Sequence, residues 1–439
     1  MYLKHIFIEN LGCPKNLVDS EKILKSFLDN NYQFTPLPED ADVILVNTCG
    51  FIDEAVVESI DTILEFAEYK KDNPDVQLVV AGCMSQRYKE DLVKELPEVD
   101  LFTGSSEIEK IPVLLNKNVK FQINSPDYNS WNADRILMTP EHYAYIKIAE
   151  GCSANCAFCI IPKLRGSQRS NSIDSITKES ITLVKNGIKE LVVVAQDTIA
   201  YGRDKKDKNV NLYSLLLNMV KIDKLKWLRL LYLYPEDYID KLLNLFGVGP
   251  LLPYVDMPIQ HINDKILKLM NRRTKRADIE EVLQKLRKID DVVIRTSVIV
   301  GFPGESEEMF QELVEFVKEQ QFDYLGIFKY HNEEGTLSYN FANKVDEEVI
   351  IERWNFLNRV QEDIVEKKNM KYIGDIVEVI IEELEDGYYI GRAWFQAPEI
   401  DGIIRINSDY QLDIGKFYFV EIIDALGYNF EGKIKGGNR

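Results

Sequence analysis

Half of the chain's six cysteines fall within the ten residues EGCSANCAFC, 150–159, spaced C-x3-C-x2-C at Cys152, Cys156 and Cys159. The other three, Cys13, Cys49 and Cys83, are spread over about seventy positions, each beside a glycine in LGC, TCG and AGC. Thiolates bind soft metals, and cysteine sets without histidine point to zinc or to iron–sulfur clusters. Structural zinc usually takes four ligands in two close pairs. Here each group offers three, and the four histidines (His5, His142, His261 and His331) are not spaced as fourth ligands. A cubane cluster takes one cysteine per iron, so three cysteines leave the fourth iron open to a substrate or cofactor. The spacing points first to clusters with an open iron. Zinc, or buried structural or redox thiols, are the alternatives.

Such ligands need elements to hold them. Residues 1–125 alternate strand and helix patterns: HIFIEN, then a helix near Asp19–Leu28; DVILVN, then a helix from Asp53; VQLVVAG, then a helix near Tyr88–Leu96. Short apolar runs between helical segments predict βαβ units and a parallel sheet. Cys13, Cys49 and Cys83 each follow a predicted strand, and the carboxyl ends of parallel strands share one edge, so the fold gathers the three. A linker-like stretch, INSPDYNSWNADR (123–135), precedes a second region, 135–370. There AYIKIA, ELVVVA, WLRLLYL, YVDMPI, VVIRTSVIV and YLGIFKY read as six strand–helix units, followed by a helix near 346–370. Six successive units fit a partial (βα)6 barrel, with its site on the loops after the strands. The three-cysteine loop follows the first of them. From 373 to 439, DIVEVIIEE, YYIGRAW, GIIRIN and FYFVEIIDAL alternate apolar and polar residues, as in a small antiparallel β-barrel. The expected fold class is therefore α/β multidomain, with a parallel sheet, a partial barrel and a small β-barrel in series.

At 439 residues, 45% apolar and 28% charged, the chain has the profile of a soluble globular protein, and no stretch approaches a membrane span. MYLKHIFIENLGC reads as a first strand and not as a signal peptide, so the cytoplasm is the expected compartment, where structural disulfides are disfavoured. A net charge of −19 argues against broad binding to a phosphate backbone and suits a basic protein partner, with plain solubility the alternative reading of the charge taken alone.

The C-x3-C-x2-C spacing, with Phe158 before its last cysteine, resembles the signature of the radical S-adenosylmethionine enzymes. The longer stretch IKIAEGCSANCAFCIIPKLRGSQRS is similar to that of the methylthiotransferases within that family, which carry three further N-terminal cysteines and a C-terminal TRAM barrel. The resemblance covers essentially the whole chain. LGCPKNLVDSE and APEIDG resemble the branch that modifies a ribosomal protein, the RimO type. Gln396 departs from it, since related proteins often have an acidic residue there.

The resemblance implies two [4Fe-4S] clusters, S-adenosylmethionine as radical source and methyl donor, and sulfide or persulfide as sulfur source. Cys152, Cys156 and Cys159 would hold the cluster that cleaves the cofactor to a 5′-deoxyadenosyl radical. Cys13, Cys49 and Cys83 would hold the cluster that carries sulfur. The implied substrate is an aspartate of small-subunit ribosomal protein twelve, and the implied reductant a flavodoxin or ferredoxin. Cofactor contacts are expected from Phe158 and from groups at barrel strand ends: Gln196, Asp197, Gln260 with the adjacent His261, and Gly301 and Gly304 in GFPGE. Arg165 and Arg169 are candidates to meet carboxylates of cofactor or substrate, and Glu399 and Asp401 candidates to contact the protein substrate. Residues 373–439 hold 13 Asp/Glu against 6 Lys/Arg. That acidity suits a basic ribosomal protein and makes tRNA the less favoured partner. A tRNA methylthiotransferase and a non-catalytic iron–sulfur protein that binds the ribosome are the rival readings.

Overall fold

The computed structural model describes residues 3–126 and 134–435. Of the linker-like stretch 123–135, residues 127–133 lie outside the described residues.

The N-terminal sheet has six parallel strands, which in spatial order are Tyr32–Phe34, Lys4–Asn10, Val43–Thr48, Gln77–Gly82, Leu101–Thr103 and Phe121–Gln122. Three were expected. The other three have two or three residues each, too few to show a period of two. Val43–Thr48 is buried along its whole length, because helices cover both faces of a parallel sheet. Ile44 and Val46 point into one apolar layer and Val43 and Leu45 into the other. The strands preceding Cys13, Cys49 and Cys83 are the three neighbours at the sheet centre, so their carboxyl ends do share one edge. The first helix begins at Pro14, earlier than expected, with Cys13 as the preceding extended residue and Pro at its first position. In place of one helix near 88–96 there are two short ones, Cys83–Tyr88 and Glu90–Glu95, separated by Lys89 at φ 48°.

The central region is an open sheet of six parallel strands in sequence order: Tyr143–Lys147, Glu190–Val194, Trp227–Leu230, Leu251–Asp256, Val293–Val300 and Tyr324–Lys329. Alternation sorts their side chains. Ala144, Ile146, Leu191, Val193, Leu228 and Leu230 pack outward under the helices. Tyr143, Tyr145, Val192, Trp227, Tyr254 and Tyr324 face inward, where they meet the C-terminal barrel. The helix Glu347–Asn369 closes the far side of the sheet.

The C-terminal region is a closed five-stranded barrel of Ile376–Glu385, Tyr388–Ala393, Ile404–Asn407, Asn429–Ile434 and Phe417–Leu426, in spatial order. One strand, Asn429–Ile434, was not anticipated, and the barrel is not purely antiparallel: Ile404–Asn407 and Asn429–Ile434 run parallel. Its loop 394–401 enters the inward face of the central sheet. Glu190, fully buried on the second barrel strand, is held between Arg229 (2.8 Å) and Arg392 of the C-terminal barrel (2.8 Å). Phe395 and Tyr418 are core residues, Phe417 packs edge-on against Trp227, Trp394 is half-buried, and Tyr410 and Phe419 are exposed.

Candidate active site

All six cysteines are free thiols and all six line one cavity of about 490 Å³. One wall is the edge of the N-terminal sheet, with Cys13, Cys49 and Cys83. The other is the mouth of the partial barrel, with Cys152, Cys156 and Cys159 on the loop after its first strand. Phe51, Phe328 and Ile400, one from each of the three regions and each substantially exposed, stand at the chamber's rim. A larger depression, about 1400 Å³, lies at the opposite end of the barrel strands and holds none of the cysteines.

Among the described residues no three Cys, His, Asp or Glu side chains converge as ligands of one metal ion do. The thiols ring a space instead, three to a side, with no histidine among the lining residues. That donor set fits two all-thiolate clusters and not a tetrahedral zinc site. Each triad also has an arginine against its sulfur: Arg165 Nε lies 3.1 Å from Cys83 Sγ and Arg272 Nη1 3.7 Å from Cys156 Sγ. Such cations offset the negative charge that thiolate ligands bring.

Burial pushes the Cys83 and Cys152 thiols up to about 11 and Cys159 up to about 12, from an ordinary value of 9.0. In the metal-free chain these groups are therefore protonated at neutral pH, and metal must displace their protons. Iron loading is expected to release protons, readable with an indicator dye in weak buffer, and to strengthen as pH rises from about 6.5 to 8.5. The linkage for the metal-free fold has the opposite sign. A raised folded-state value contributes stability that is complete below 9.0 and is lost as pH rises through about 11 to 12. Denaturant melts of the metal-free chain should therefore show it weakening in alkali.

The barrel strand ends supply the polar groups. Gln196 lines the cavity and donates to Glu150 at 2.7 Å. Asp197 lines it too and is held by Arg273 at 2.7 Å. Gln260, at φ 72°, sits in the cavity wall where a single parallel bridge to Val298 extends the fourth strand. Phe158 reaches the cavity and packs edge-on against Phe302. His261 does not reach it; the ring is fully buried against Glu305 at 3.1 Å. Gly301 and Gly304 do not line the cavity either, and the expected close approach to a ligand gives way to packing. Gly301 has φ 78°, and a Cβ there would fall inside the Ile350 side chain, while one at Gly304 would press on Leu269. Gly301→Ala is expected to cost about 2–4 kcal/mol in denaturant melts. Adding Ile350→Ala should recover the packing share and leave the backbone share.

Arg165 is fully engaged inside the protein. It donates to Asp19 at 2.6 Å and to Asn16 of the first helix, and lies 3.5 Å from Glu150. Lys147 completes the cluster with Asp19 and with Glu150 at 2.7 Å. Two cations and two carboxylates, all buried, thus tie the helix after Cys13 to the strand before Cys152. Arg169 is outside the cavity; it donates to the carbonyls of Ser167 and Arg165 and braces the cysteine loop. The carboxylates expected to contact substrate also turn inward. Glu399, exposed as a residue, accepts from the hydroxyls of Tyr143 and Tyr145, and Asp401, 1% exposed, accepts from Tyr254 and pairs with Arg295 at 3.2 Å. The reason is local: loop 394–401 is the part of the C-terminal barrel that enters the central sheet, so its acids meet inward tyrosines before solvent.

Several lining residues escaped the sequence reading: Lys15, Tyr232, Tyr234, Arg272 and Arg295. Tyr232 and Tyr234 follow the third barrel strand, so the strand-end rule that selected Gln196 and Gln260 would have found them. Arg272 and Arg295 carry no comparable signal, one being in a loop after a short helix and the other within a strand.

Three family models match the chain: Uncharacterized protein family UPF0004 over residues 5–104, the Radical SAM superfamily over 146–317 and the TRAM domain over 373–434. Curated relatives match nearly end to end. The ribosomal protein uS12 methylthiotransferase RimO of Caldicellulosiruptor saccharolyticus is 46% identical over 97% of this chain and 98% of that protein. The protein of the same name from Clostridioides difficile is 44% identical over 98% of each, and that from Aquifex aeolicus 44% identical over 98% of this chain and 96% of that one. Among solved structures, the radical S-adenosylmethionine methyltransferase TsrM of Kitasatospora setae is similar with a TM-score of 0.54 at 13% identity, over 74% of this chain and 73% of that one. The cobalamin-dependent S-adenosylmethionine radical enzyme OxsB has a TM-score of 0.50 at 11% identity, over 82% of this chain and 56% of that one. At such identities the likeness concerns the fold alone.

Proposed function

The chain belongs to the ribosomal protein uS12 methylthiotransferase family, and on that premise we propose that it adds a methylthio group to the β-carbon of one aspartate of ribosomal protein uS12. The observation that carries this reading is the meeting of both cysteine triads in one chamber of about 490 Å³. Two [4Fe-4S] clusters and S-adenosylmethionine supply a 5′-deoxyadenosyl radical and the sulfur and methyl groups to be transferred. Radical chemistry is required because the aspartate β-carbon has no usable acidity, so a general base cannot activate it.

The protein's part is to hold, orient and exclude water. Cys152, Cys156 and Cys159 would hold one cluster, with Gln196, Asp197, Gln260 and Phe158 forming the adjacent wall. Cys13, Cys49 and Cys83 would hold the other across the chamber. Phe51, Phe328 and Ile400 form an apolar collar through which a substrate loop enters and which keeps bulk water from the reacting carbon. The acids left exposed on the C-terminal barrel, among them Glu383, Glu385, Asp386, Asp409 and Asp424, favour a basic protein over tRNA. A flavodoxin or ferredoxin in the cytoplasm suits the electron supply, and sulfide or persulfide the sulfur. Among the described residues no helix is long and apolar enough to cross a membrane.

The test is mass spectrometry of uS12 after incubation with the iron-loaded protein, reductant and S-adenosylmethionine. A gain of about 46 Da on a single aspartate is expected. A methylthio group on tRNA instead, with uS12 unchanged, would overturn the substrate assignment.

A further inference from the structure

Four cations line the chamber: Lys15, Arg165, Arg272 and Arg295. Two are already paired with carboxylates. Arg165 is held by Asp19 and Glu150, and Arg295 by Asp256 and Asp401. Arg272 has no carboxylate partner and its Nε is unpartnered, but it is held by the Pro258 carbonyl and the face of Tyr234 and lies beside Cys156, whose thiolate charge it offsets. Lys15 has no ion-pair partner among the described residues. Its ammonium sits 3.7 Å from the centroid of the Tyr232 ring, across the seam between the N-terminal sheet region and the barrel. Tyr232, through its ring and a side-chain hydrogen bond, engages one side of the ammonium and leaves donors on the other for a ligand.

The support under Lys15 is built with care. Tyr232 has φ 61°, a left-handed conformation unusual for a bulky residue, and its backbone N–H is fixed by the Asp256 carboxylate at 2.9 Å. Such strain persists where surroundings over-determine it, and here it aims the ring at Lys15. Lys15 itself stands in the first turn of the helix Pro14–Asp29, where the positive end of the helix dipole also favours an anion.

We propose that Lys15 is the carboxylate-binding residue for the target aspartate, with Tyr232 as its positioning residue. This rests on the function proposed above. The reacting β-carbon is bonded directly to the carboxylate, so fixing that group fixes the carbon. Bringing a carboxylate into a largely apolar chamber requires a cation there, and the Lys15 ammonium in the chamber wall, with no carboxylate salt-bridged to it, meets that need. The same contact selects aspartate over asparagine, and over an uncharged nucleobase.

The test compares binding of labelled uS12 carrying Asp or Asn at the modified position, using the iron-loaded protein without reductant. The wild-type protein is expected to prefer the Asp form by about 10-fold or more. Lys15→Met should bring the two within about 2-fold, and Lys15→Arg should keep part of the preference. Equal binding of both forms by the wild-type protein overturns the proposal without any variant. So does a Lys15→Met protein of full iron content that still prefers Asp. Failure of the function itself would look different: no methylthio group on uS12 and no binding of either form.

Discussion

Replacing Cys152, Cys156 or Cys159 with serine will halve the iron content and cut 5′-deoxyadenosine formation by at least about 10³-fold, because the radical has no other source. Replacing Cys13, Cys49 or Cys83 will also halve the iron, yet 5′-deoxyadenosine will still form while the methylthio product falls by a similar factor. The two triads share one chamber but stand on separate loops of separate sheets, so loss of one cluster leaves the ligands of the other in place. A serine oxygen is a harder and less ionisable ligand than a thiolate, so it does not substitute. Liquid chromatography of 5′-deoxyadenosine beside mass spectrometry of uS12 separates the two phenotypes. Identical phenotypes for all six variants would mean that the triads do not divide the work.

The second large effect is expected at Asp19. It faces Lys147 and Arg165 in the buried cluster that joins the first helix to the barrel. Asp19→Ala takes one buried carboxylate away from Lys147 and Arg165, and breaking a buried pair from one side costs about 3–5 kcal/mol. The loss should appear as an early step in thermal unfolding that releases the N-terminal region before the barrel. Lys147→Met in the Asp19→Ala background removes the excess charge and should recover part of the loss, which a double-mutant cycle would measure. The same cluster predicts acid lability. Burial works against the Glu150 charge, but Lys147 and Arg165 hold its carboxyl well below the ordinary 4.5. Its contribution is therefore complete above 4.5 and lost as pH falls below that value.

The elements that position the cysteines were legible because each obeys a short-range rule. Six barrel strands announce themselves by apolar runs, and the glycine beside each N-terminal cysteine marks a strand end. What was not legible depends on contacts between regions. Asp401 sits in an acidic, loop-like stretch that reads as surface, but it is buried against Tyr254 about 150 positions away in sequence. Gly301 resembles a ligand-approach glycine in sequence; its reason is Ile350, on a helix that packs across it. Lys15 was visible as part of CPKN but had no visible neighbour until the fold brought Tyr232 to it. Local pattern gives the ligands of a site, and tertiary contact gives the groups that tune them.

The pairing of Glu190 with Arg229 and Arg392 means more than a stable seam. With Arg295, Asp401 and Tyr254 it fastens the C-terminal barrel to the central sheet by buried charges, so swinging the barrel away would strand several of them in apolar surroundings. Ile400 therefore holds a set position opposite Phe51 and Phe328, and the opening they frame has one size. A fixed aperture selects by protrusion: a flat folded face is refused, while a loop that stands clear of its own domain is threaded through. The deformability that recognition needs is then carried by the substrate. On the function proposed above, the target aspartate is therefore expected on a loop that stands clear of the ribosomal protein's folded body.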